Sequence, residues 1–486
     1  MLDVCLLLEG TYPYVTGGVS TWVHQLITSM KNLRFGILFI ASHSDPTREL
    51  RYEIPQNVLY LKEVPLHDYY LERRHQRRPR KKDFENIRLF YEGLEQHQHR
   101  LFPEILDLFH GERSCFDTQN FFSSMKIWDL LTYFYKRYVD DISFLDFFWT
   151  WRGTHLPLLQ ILQTELPRAK IYHSISTGYA GLLAAIGKAR HGGRLFLTEH
   201  GIYTHERFLE ISQAQWLYEK ERRQFRPERE LSFFKRWWVR MFQVMSQITY
   251  HEADRIFTLY EGNKVNQVLE GASADKISII PNGIDLKSYD GIDRFQKEEP
   301  QIGFVGRVVA IKDVKTFIQA ARQIASVRPK AHFYIIGPKD EEEEYYEECQ
   351  VMVESFHLEE KVTFTGQVNV KDYYRFIDLV VLTSLSEAQP YVIMEANLAG
   401  IPVVASDVGA CREMLEGRDA SDRAIGPSGL VTEVSNPGAT AKAVLSLLED
   451  RGLYQRMGRS GQERVRRFYD QDDLLSRYLN LYEQNL

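Results

Sequence analysis

Short apolar segments recur along the chain and alternate with longer amphipathic segments. In the first half the apolar segments are short, as buried strands are. They cover 4–8, 35–41, 58–64, 171–175, 194–198, 255–259 and 276–280. Helical patterns separate them, for example at 19–30 and 179–189. This alternation predicts a parallel, doubly wound α/β sheet.

The second half repeats the pattern. Its predicted strands cover 302–305, 332–336, 361–364, 378–382, 402–405 and 429–431. A helix after the first strand carries one apolar stripe, as a core-packed helix should. The stripe consists of Val314, Phe317, Ile318, Ala321, Ile324 and Ala325. A polar stretch at 287–300 separates the halves, so we predict two doubly wound domains.

The alternation is interrupted twice in the first domain. Residues 65–164 show no strand rhythm, and 12 of the 31 residues in 121–151 are aromatic. We interpret this stretch as a helical insertion whose aromatic side chains form their own core. A sugar-stacking acceptor surface and a partner-docking face are the alternatives. A second insertion, at 202–247, carries Trp216, Trp237 and Trp238 and predicts long amphipathic helices.

Charge and cysteine content narrow the class of protein. The net charge of −6 gives no general attraction to nucleic acid. The basic run at 73–82 reads as a solvated loop, with attraction to anionic lipid headgroups as the alternative. The four cysteines lie far apart and indicate neither a metal site nor a disulfide framework. Without a signal-peptide pattern or a run of ~20 apolar residues, we expect a cytoplasmic protein.

Candidate chemistry in the second domain lies in loops that follow predicted strands. The carboxyl ends of parallel strands share one edge, where α/β folds bind ligands. Arg307 and Lys312 follow the first strand. Glu387 precedes a helix that carries Glu395 about two turns in. Two fixed positive charges beside a helix N-terminus can hold a diphosphate without a metal, and the two carboxylates can bind hydroxyls at two ends of one ligand.

The first domain offers weaker signals. Gly17 and Gly18 lie between the first strand and the first helix, where glycine lets the backbone approach a ligand. His200 follows a strand and precedes Gly201, which places it in a turn at the ligand edge. A histidine there can donate or accept a hydrogen bond near neutral pH.

Together these residues resemble the retaining GT-B glycosyltransferases of family 4. The resemblance rests on Gly17-Gly18, PNGID (281–285), GRVVAIKD (306–313), FTGQV (364–368), and Glu387 with Glu395 followed by NLAGIPVVASDVGACRE. It implies two Rossmann-like domains that face each other across a cleft. The first, acceptor-side domain is expected at 1–286 and regains helix 466–486, and the donor domain at 287–465. EGTYPYVTGGVSTWVHQLI and LTEHGIYTHER resemble a narrower group, the glycosyltransferases of the Pel exopolysaccharide.

The resemblance assigns roles to the charged residues. Arg307 and Lys312 are expected to hold the donor diphosphate. Glu387 is expected to contact hydroxyls of the donor sugar, and Glu395 those of the ribose. No carboxylate is placed as a nucleophile, so retention by front-face attack is favoured over a covalent intermediate.

It also assigns roles to smaller and neutral residues. Backbone around Gly366 and Val368 is expected to meet the base, Gly17 and Gly18 to approach the phosphates, and His200 to lie near the C6 hydroxyl of the sugar. Family members often have Gly-Phe-Pro or Gly-Leu-Pro after the first glutamate, whereas this chain has Ala388, Gln389 and Pro390. Gln389 is therefore expected to affect sugar choice. With Pro390 and Tyr391 it completes the expected donor-binding set.

The expected activity is transfer of a hexose from a UDP-sugar to a growing exopolysaccharide, without cofactor or metal. The expected partners are the UDP-hexose, the polysaccharide acceptor and an inner-membrane synthesis and export complex, and no nucleic acid. The expected location is cytoplasmic, with peripheral association with the inner membrane as an option. The alternatives are an ADP- or GDP-sugar donor, a UDP-sugar epimerase, and a non-catalytic subunit that binds nucleotide-sugars.

Overall fold

The computed structural model describes residues 1–68, 77–94, 102–139, 142–213, 233–289 and 291–486. The chain divides into two compact units. Unit 1 consists of Met1–Thr258, Lys264–Ser278 and Tyr478–Leu486, and unit 2 of Leu259–Asn263 and Ile279–Arg477. Each unit contains one sheet of parallel strands between layers of helices.

The strands of unit 1 form a single sheet. They are β1 (Leu2–Glu9), β2 (Phe35–Ala41), β3 (Val58–Pro65), β4 (Ala169–Ser174), β5 (Arg194–Glu199), β6 (Arg255–Thr258) and β7 (Ile277–Ile279). Their order in the sheet is β3–β2–β1–β4–β5–β6–β7. Strand β1 pairs in parallel with both β2 and β4. Every residue of β2 is buried, as expected for a strand covered by helices on both faces.

The helices of unit 1 connect these strands. They are α1 (Gly18–Ser29), α2 (Lys81–Leu94), α3 (Phe102–Phe109), α4 (Thr118–Ser123), α5 (Met125–Tyr138), α6 (Phe144–Gln163), α7 (Tyr179–His191), α8 (Tyr203–Gln213), α9 (Phe233–Glu252) and α10 (Glu261–Leu269). Helices α2 to α6 all lie between β3 and β4, so the first predicted insertion is helical. Of the second insertion, α8 and α9 are described, whereas Trp216 lies outside the described residues.

The aromatic residues of the first insertion do not form a core of their own. Phe121 packs against Phe109 and Trp151, with ring centroids 5.5 and 6.1 Å apart. These side chains belong to the same apolar cluster as Leu38 and Ile40 of β2. The prediction of a separate core was wrong, because the insertion covers a face of the sheet and shares its core.

The basic run is only partly a loop. Residues 73–76 lie outside the described ranges. Arg77 forms an ion pair with Asp83 at 2.6 Å. Lys81 and Lys82 are exposed in the first turn of α2. The interpretation as a solvated loop therefore fails for the last two residues of the run, which are helical.

Unit 2 is built in the same way. Its strands are β8 (Gln301–Val305), β9 (His332–Ile336), β10 (Val362–Gly366), β11 (Leu379–Leu382), β12 (Val403–Ser406) and β13 (Gly429–Thr432), in the order β10–β9–β8–β11–β12–β13. Its helices are α11 (Val314–Val327), α12 (Glu343–Ser355), α13 (Val370–Tyr374), α14 (Tyr391–Leu398), α15 (Cys411–Glu416), α16 (Ala420–Arg423), α17 (Pro437–Glu449), α18 (Arg451–Phe468) and α19 (Gln471–Glu483). Short 3₁₀ turns cover Leu286–Tyr289 and Ala310–Lys312 in unit 2, and Ala274–Lys276 in unit 1. The predicted apolar stripe of α11 is buried throughout.

Helix α19 begins in unit 2 and ends in unit 1. Within unit 1, the hydroxyl groups of Tyr478 and Thr198 lie 3.1 Å apart. The hydroxyl group of Tyr482 lies 2.5 Å from Nδ1 of His173. All four side chains are buried, so the end of this helix is part of the core of unit 1. Within the described ranges, no helix is both long and apolar enough to cross a membrane.

Candidate functional site

The strand order of unit 2 reverses beside β8. The chain moves from β8 outward to β9 and β10, and then returns to the other side of β8 at β11. The loops after β8 and β11 therefore leave in opposite directions at the carboxyl edge, which is where open α/β sheets bind ligands. These loops cover 306–313 and 383–390, and they contain Arg307, Lys312 and Glu387.

Lys312 and Glu387 connect the two loops. The Lys312 Nζ atom donates to Oε1 of Glu387 at 2.5 Å, and the Ser384 hydroxyl donates to the same oxygen at 2.6 Å. Both charged side chains are mostly buried, at 20% and 10% exposure. Partial burial lowers the effective dielectric constant, so the pair interacts more strongly than an exposed ion pair. The geometry fixes one cation and one carboxylate side by side at the switch point, which is the place beside β8 where the strand order reverses.

Arg307 lies at the same edge and has a partner that the sequence did not indicate. Its Nη1 atom donates to Oε2 of Glu341 at 2.5 Å, and its side chain is 51% exposed. Glu342 accepts a hydrogen bond from the backbone N–H of Ala310 at 2.8 Å. Two residues of the acidic run 340–344 therefore hold the loop after β8. Only the order of the strands brings these segments together.

Helix α14 begins directly after the second loop. Pro390 is its N-cap residue and makes no capping hydrogen bond through its side chain. Because the helix starts at Tyr391, Glu395 lies about one turn into it, and the predicted two turns were wrong. The first N–H groups of a helix have no partner within the helix and favour anions. The helix thus begins shortly after Glu387, whose carboxylate contacts Lys312.

Gly409 lets the next loop approach Glu387 closely. A Cβ atom at position 409 would lie 1.9 Å from the carbonyl oxygen of Glu387, and the residue has a φ of +54°. The neighbouring Ala410 donates its N–H to the carbonyl oxygen of Ala388 at 2.8 Å. Glycine is required here both for space and for backbone conformation. The loop that carries Glu387 is therefore supported from two sides.

Glu395 is held by two tyrosines. The Tyr374 hydroxyl donates to its Oε2 atom at 2.9 Å, and Tyr289 also hydrogen-bonds to the carboxyl group. Burial raises the pKa of Glu395, and these hydrogen bonds and the charge of Lys371 oppose the shift. The carboxyl group is half-buried and fixed in place, as a site for ligand hydroxyls requires. Neither tyrosine was singled out in the sequence.

The remaining predicted donor residues differ in what the structure leaves accessible. Gln389 is buried, and its side-chain oxygen accepts the backbone N–H of Asn282 at 2.7 Å. The hydroxyl group of Tyr391 is buried and has no hydrogen-bond partner in the described part of the chain. Gly366 has a φ of +68° with open space around its Cβ position, and Val368 is 38% exposed. The side-chain oxygen of Gln389 thus fixes the turn at 281–285.

The candidate residues of unit 1 lie at the carboxyl edge of its own sheet. Gly17 is the N-cap of α1 and Gly18 its first residue, and a Cβ atom on Gly17 would meet no atom within 4 Å. His200 follows β5, and its ring packs edge-on against Trp22 with centroids 5.0 Å apart. Burial lowers the pKa of His200 to about 4, so the imidazole is neutral near pH 7.

Two carboxyl groups of unit 1, one buried and one partly buried, were missed in the sequence. Glu199, next to His200, accepts hydrogen bonds from Tyr250 at 2.7 Å and Gln267 at 2.9 Å, and burial raises its pKa to about 7. Glu9 accepts a hydrogen bond from the Tyr203 hydroxyl at 2.7 Å. The sequence could have indicated both residues, because each is an acidic residue at the end of an apolar strand, at the edge where ligands bind.

Two family models match the chain. Residues 2–275, more than half of the chain, match the family described as Domain of unknown function (DUF3492). Residues 288–464 match the family described as Glycosyl transferases group 1. The second match covers every unit 2 residue of the predicted site.

Curated relatives match only part of the chain. A D-inositol 3-phosphate glycosyltransferase of Nocardia farcinica is 29% identical over 223 residues, which is 43% of this chain and 48% of that protein. An N-acetyl-alpha-D-glucosaminyl L-malate synthase of Bacillus anthracis is 25% identical over 251 residues, 51% of this chain and 61% of that protein. The chain spans about half the length of the curated relatives it matches.

Solved structures resemble the chain over its full length. A sucrose-phosphate synthase of Thermosynechococcus elongatus aligns with a TM-score of 0.58 at 16% identity, covering 99% of this chain and 98% of that one. Anabaena HepE, solved with UDP and glucose, aligns with a TM-score of 0.55 at 15% identity, covering 99% and 100%. At such identities the likeness shows the fold alone. It confirms the predicted pair of Rossmann-like domains of the GT-B type.

Proposed function

Because the chain belongs to the DUF3492 family and its residues 288–464 form a group 1 glycosyltransferase domain, we propose that it transfers a hexose from a UDP-sugar to a growing exopolysaccharide. Retention of configuration and independence of metal ions are part of the proposal. The observation that carries it is the Lys312–Glu387 pair at the switch point of unit 2. HepE, which shares the fold, was solved with UDP and glucose, and this supports UDP as the nucleotide.

In the proposed reaction, Lys312, Arg307 and the start of α14 bind the diphosphate. Fixed positive charge stabilises the negative charge that develops on the leaving phosphate oxygen. Because lysine and arginine carry that charge, the diphosphate can depart without a divalent cation. The contact with Glu387 also holds the Lys312 side chain in position before the donor binds.

The carboxylates are proposed to bind the two ends of the donor. Glu387 accepts hydrogen bonds from hydroxyl groups of the hexose, and Glu395, held by Tyr374, accepts those of the ribose. The acceptor hydroxyl attacks the anomeric carbon from the face that the diphosphate leaves. Its proton passes to the departing diphosphate oxygen, so no protein nucleophile is needed. The roles expected for Gly17, Gly18 and His200 stay predictions.

The acceptor is proposed to be a polysaccharide of the Pel type. Resemblance of the segments at 9–27 and 197–207 to the Pel exopolysaccharide glycosyltransferase, PelF, supports this choice. The same resemblance supports a location on the cytoplasmic side of the inner membrane, next to a polysaccharide synthesis and export complex. Cell fractionation with and without that complex tests the location.

The activity is tested with purified protein and a panel of UDP-, ADP- and GDP-hexoses. We expect UDP release from one UDP-hexose, stimulated by polysaccharide acceptor and unchanged by a chelator. The anomeric configuration of the product, read by NMR, should equal that of the donor. Release of ADP or GDP instead would establish the alternative donor. UDP binding without release for any acceptor would establish the non-catalytic subunit, and conversion of the UDP-sugar without acceptor would establish the epimerase.

A further inference from the structure

A pocket of about 280 Å³ lies in unit 1, between the end of β3 and the helical insertion. One wall is formed by residues 66–68, which follow β3 at the carboxyl edge of the sheet. The opposite wall comes from α4 and α6. Its side chains include Gln119, Phe122, Arg152, Leu156 and Gln160. None of these residues belongs to the donor site proposed above.

The pocket combines an apolar wall with fixed polar groups. Phe122 is held in place, because its ring packs edge-on against Trp151 with centroids 5.4 Å apart. The Arg152 guanidinium lies 5.6 Å from the centroid of the Phe122 ring. On the other wall, the Asp68 carboxylate accepts the backbone N–H of Ser44 at 3.0 Å, and this hydrogen bond lowers its pKa. Asp68 is therefore ionised and oriented near neutral pH.

The charges of the lining favour a neutral ligand. An anion would meet the carboxylate of Asp68, and a cation would meet the guanidinium of Arg152. The hydroxyl groups of a neutral ligand can donate hydrogen bonds to Asp68 and accept hydrogen bonds from Arg152. Such bonds to charged groups are stronger than those between neutral groups. The amide groups of Gln119 and Gln160 add donors and acceptors. Phe122 and Leu156 offer apolar surface to the C–H groups of a sugar ring.

We infer that this pocket binds one or more residues of a neutral saccharide. Few converging polar groups in an apolar concavity are the usual composition of a small-ligand site. The aromatic insertion, whose sequence allowed a sugar-stacking surface, thus contributes Phe122 to a concave pocket. The inference deepens the proposed function and rests on it for the identity of the ligand, a distal part of the polysaccharide acceptor.

The position of the pocket fits a distal part of the acceptor. His200, which is expected to lie near the transferred sugar, follows β5, whereas the pocket follows β3. Strands β2, β1 and β4 lie between these two strands. Four strand spacings of about 4.8 Å correspond to about 19 Å along the carboxyl edge. A single sugar cannot span that distance, but a chain of several can. The pocket therefore binds the part of the polysaccharide that was added earlier.

The test uses direct binding of neutral oligosaccharides, with no donor present. Isothermal calorimetry with a length series of neutral hexose and N-acetylhexosamine oligosaccharides measures affinity for the wild-type chain and for Gln119→Trp, which fills the pocket. Gln119 is exposed on α4, so the substitution leaves the core unchanged. Gln56→Trp is the matched control, because Gln56 is an exposed glutamine of unit 1 outside the pocket.

We expect affinity to rise with oligosaccharide length for the wild-type chain and for Gln56→Trp. In Gln119→Trp it should fall by about tenfold or more, which is about 1.4 kcal/mol. Asp68→Asn, which keeps an oxygen for the Ser44 N–H, should weaken binding less. The inference is overturned if the wild-type chain binds none of these oligosaccharides or if Gln119→Trp binds them equally well. Tighter binding of anionic oligosaccharides or of peptides would overturn it as well.

A parallel titration with UDP separates this inference from the proposed function. All variants should bind UDP as the wild-type chain does, because the pocket lies outside the donor site. Failure of the wild-type chain to bind UDP contradicts the proposed function, whatever the oligosaccharide result. Loss of oligosaccharide binding in Gln119→Trp with UDP binding retained shows a pocket defect in a folded protein.

Discussion

The carboxyl edges of the two sheets differ in charge although the sheets share one architecture. In unit 2 the edge carries Lys312 and Arg307, which are 20% and 51% exposed and can reach a ligand. In unit 1 the corresponding edge carries His200 and Glu199, which are buried. Burial keeps His200 neutral, and a raised pKa leaves Glu199 largely protonated below pH 7. One edge is suited to an anion and the other to neutral, hydroxyl-bearing groups.

The contrast shows that the loops, and not the sheet, decide the chemistry of each unit. Parallel strands bring the loops to one edge in both cases. In unit 2 the loops are short and keep cations in contact with solvent. In unit 1, Trp22 of α1 packs on His200, and Tyr250 of α9 and Gln267 of α10 hydrogen-bond to Glu199, so these titratable groups are buried. The same fold thus supports two kinds of site.

Removal of the Lys312 side chain should have the largest effect on the rate of UDP release. Lys312→Ala is expected to lower the rate of UDP release by about 100- to 1000-fold, because a fixed donor to the leaving group is lost. Lys315→Ala is the matched control, since Lys315 of α11 forms an ion pair of the same length with Glu348 of α12. Rate measurements with the preferred UDP-hexose check both variants. Equal rates in Lys312→Ala and Lys315→Ala would remove the distinction between the two edges.

Acid should destabilise unit 1 before unit 2. His155, His173 and His200 are buried in unit 1, and burial lowers their pKa to about 4, about 3 and about 4. The unfolded chain binds protons at these residues below pH ~6.5, whereas the folded chain does not, so stability falls as the pH falls from ~6.5 towards ~4. The raised pKa of Glu199 acts in the opposite direction. We expect a net loss on the order of 2 kcal/mol at pH ~5.

Tryptophan fluorescence can measure the stability of unit 1 separately from that of unit 2. All seven lie between Trp22 and Trp238, in the first half of the sequence, so tryptophan fluorescence follows unit 1. Hydrogen exchange in peptides from β8 and β9 follows unit 2. Denaturant titrations at pH ~7 and ~5 should show a shifted fluorescence transition and little change in exchange. An earlier loss of protection in β8 and β9 would contradict the expected order.

The smallest expected effect is on UDP affinity, and it tests whether the proposed donor site of unit 2 extends to Glu395. Glu395→Gln should weaken UDP binding by about tenfold, because the neutral amide accepts ribose hydroxyls less strongly than a carboxylate. Glu413→Gln is the control, since Glu413 is another half-buried carboxyl group of unit 2 whose pKa is raised by burial. Calorimetric titration with UDP compares the two variants. Equal affinities would limit the anionic edge to Arg307, Lys312 and Glu387.

The strands of both units were predictable because each is a short, continuous apolar run. The strands at 35–41 and 332–336 agree with the sequence to the residue, and the buried stripe of α11 agrees side chain by side chain. The loops with Lys312 and Glu387 were predictable for the same reason, since parallel strands bring their carboxyl ends together. The sequence did not resolve the start of α14, because Pro390 suits both an N-cap and a first-turn position.

The partners of the site residues were not predictable from local pattern. Glu341 meets Arg307 only because β9 lies beside β8, and Tyr374 meets Glu395 only through the packing of unit 2. The aromatic insertion could not be assigned to the common core, because its composition is the same for a separate core and a shared one. Long-range contacts of this kind depend on strand order, which periodicity does not encode.

Helix α19 has a consequence for synthesis on the ribosome. Tyr478 and Tyr482 complete the interior of unit 1, yet they are translated after every strand of unit 2. Domains of nascent chains generally mature in the order in which they leave the exit tunnel. Here the unit that is translated first must await its last helix, so it reaches its final packing after the unit that follows it. Until then, His173 and Thr198 lack their tyrosine partners.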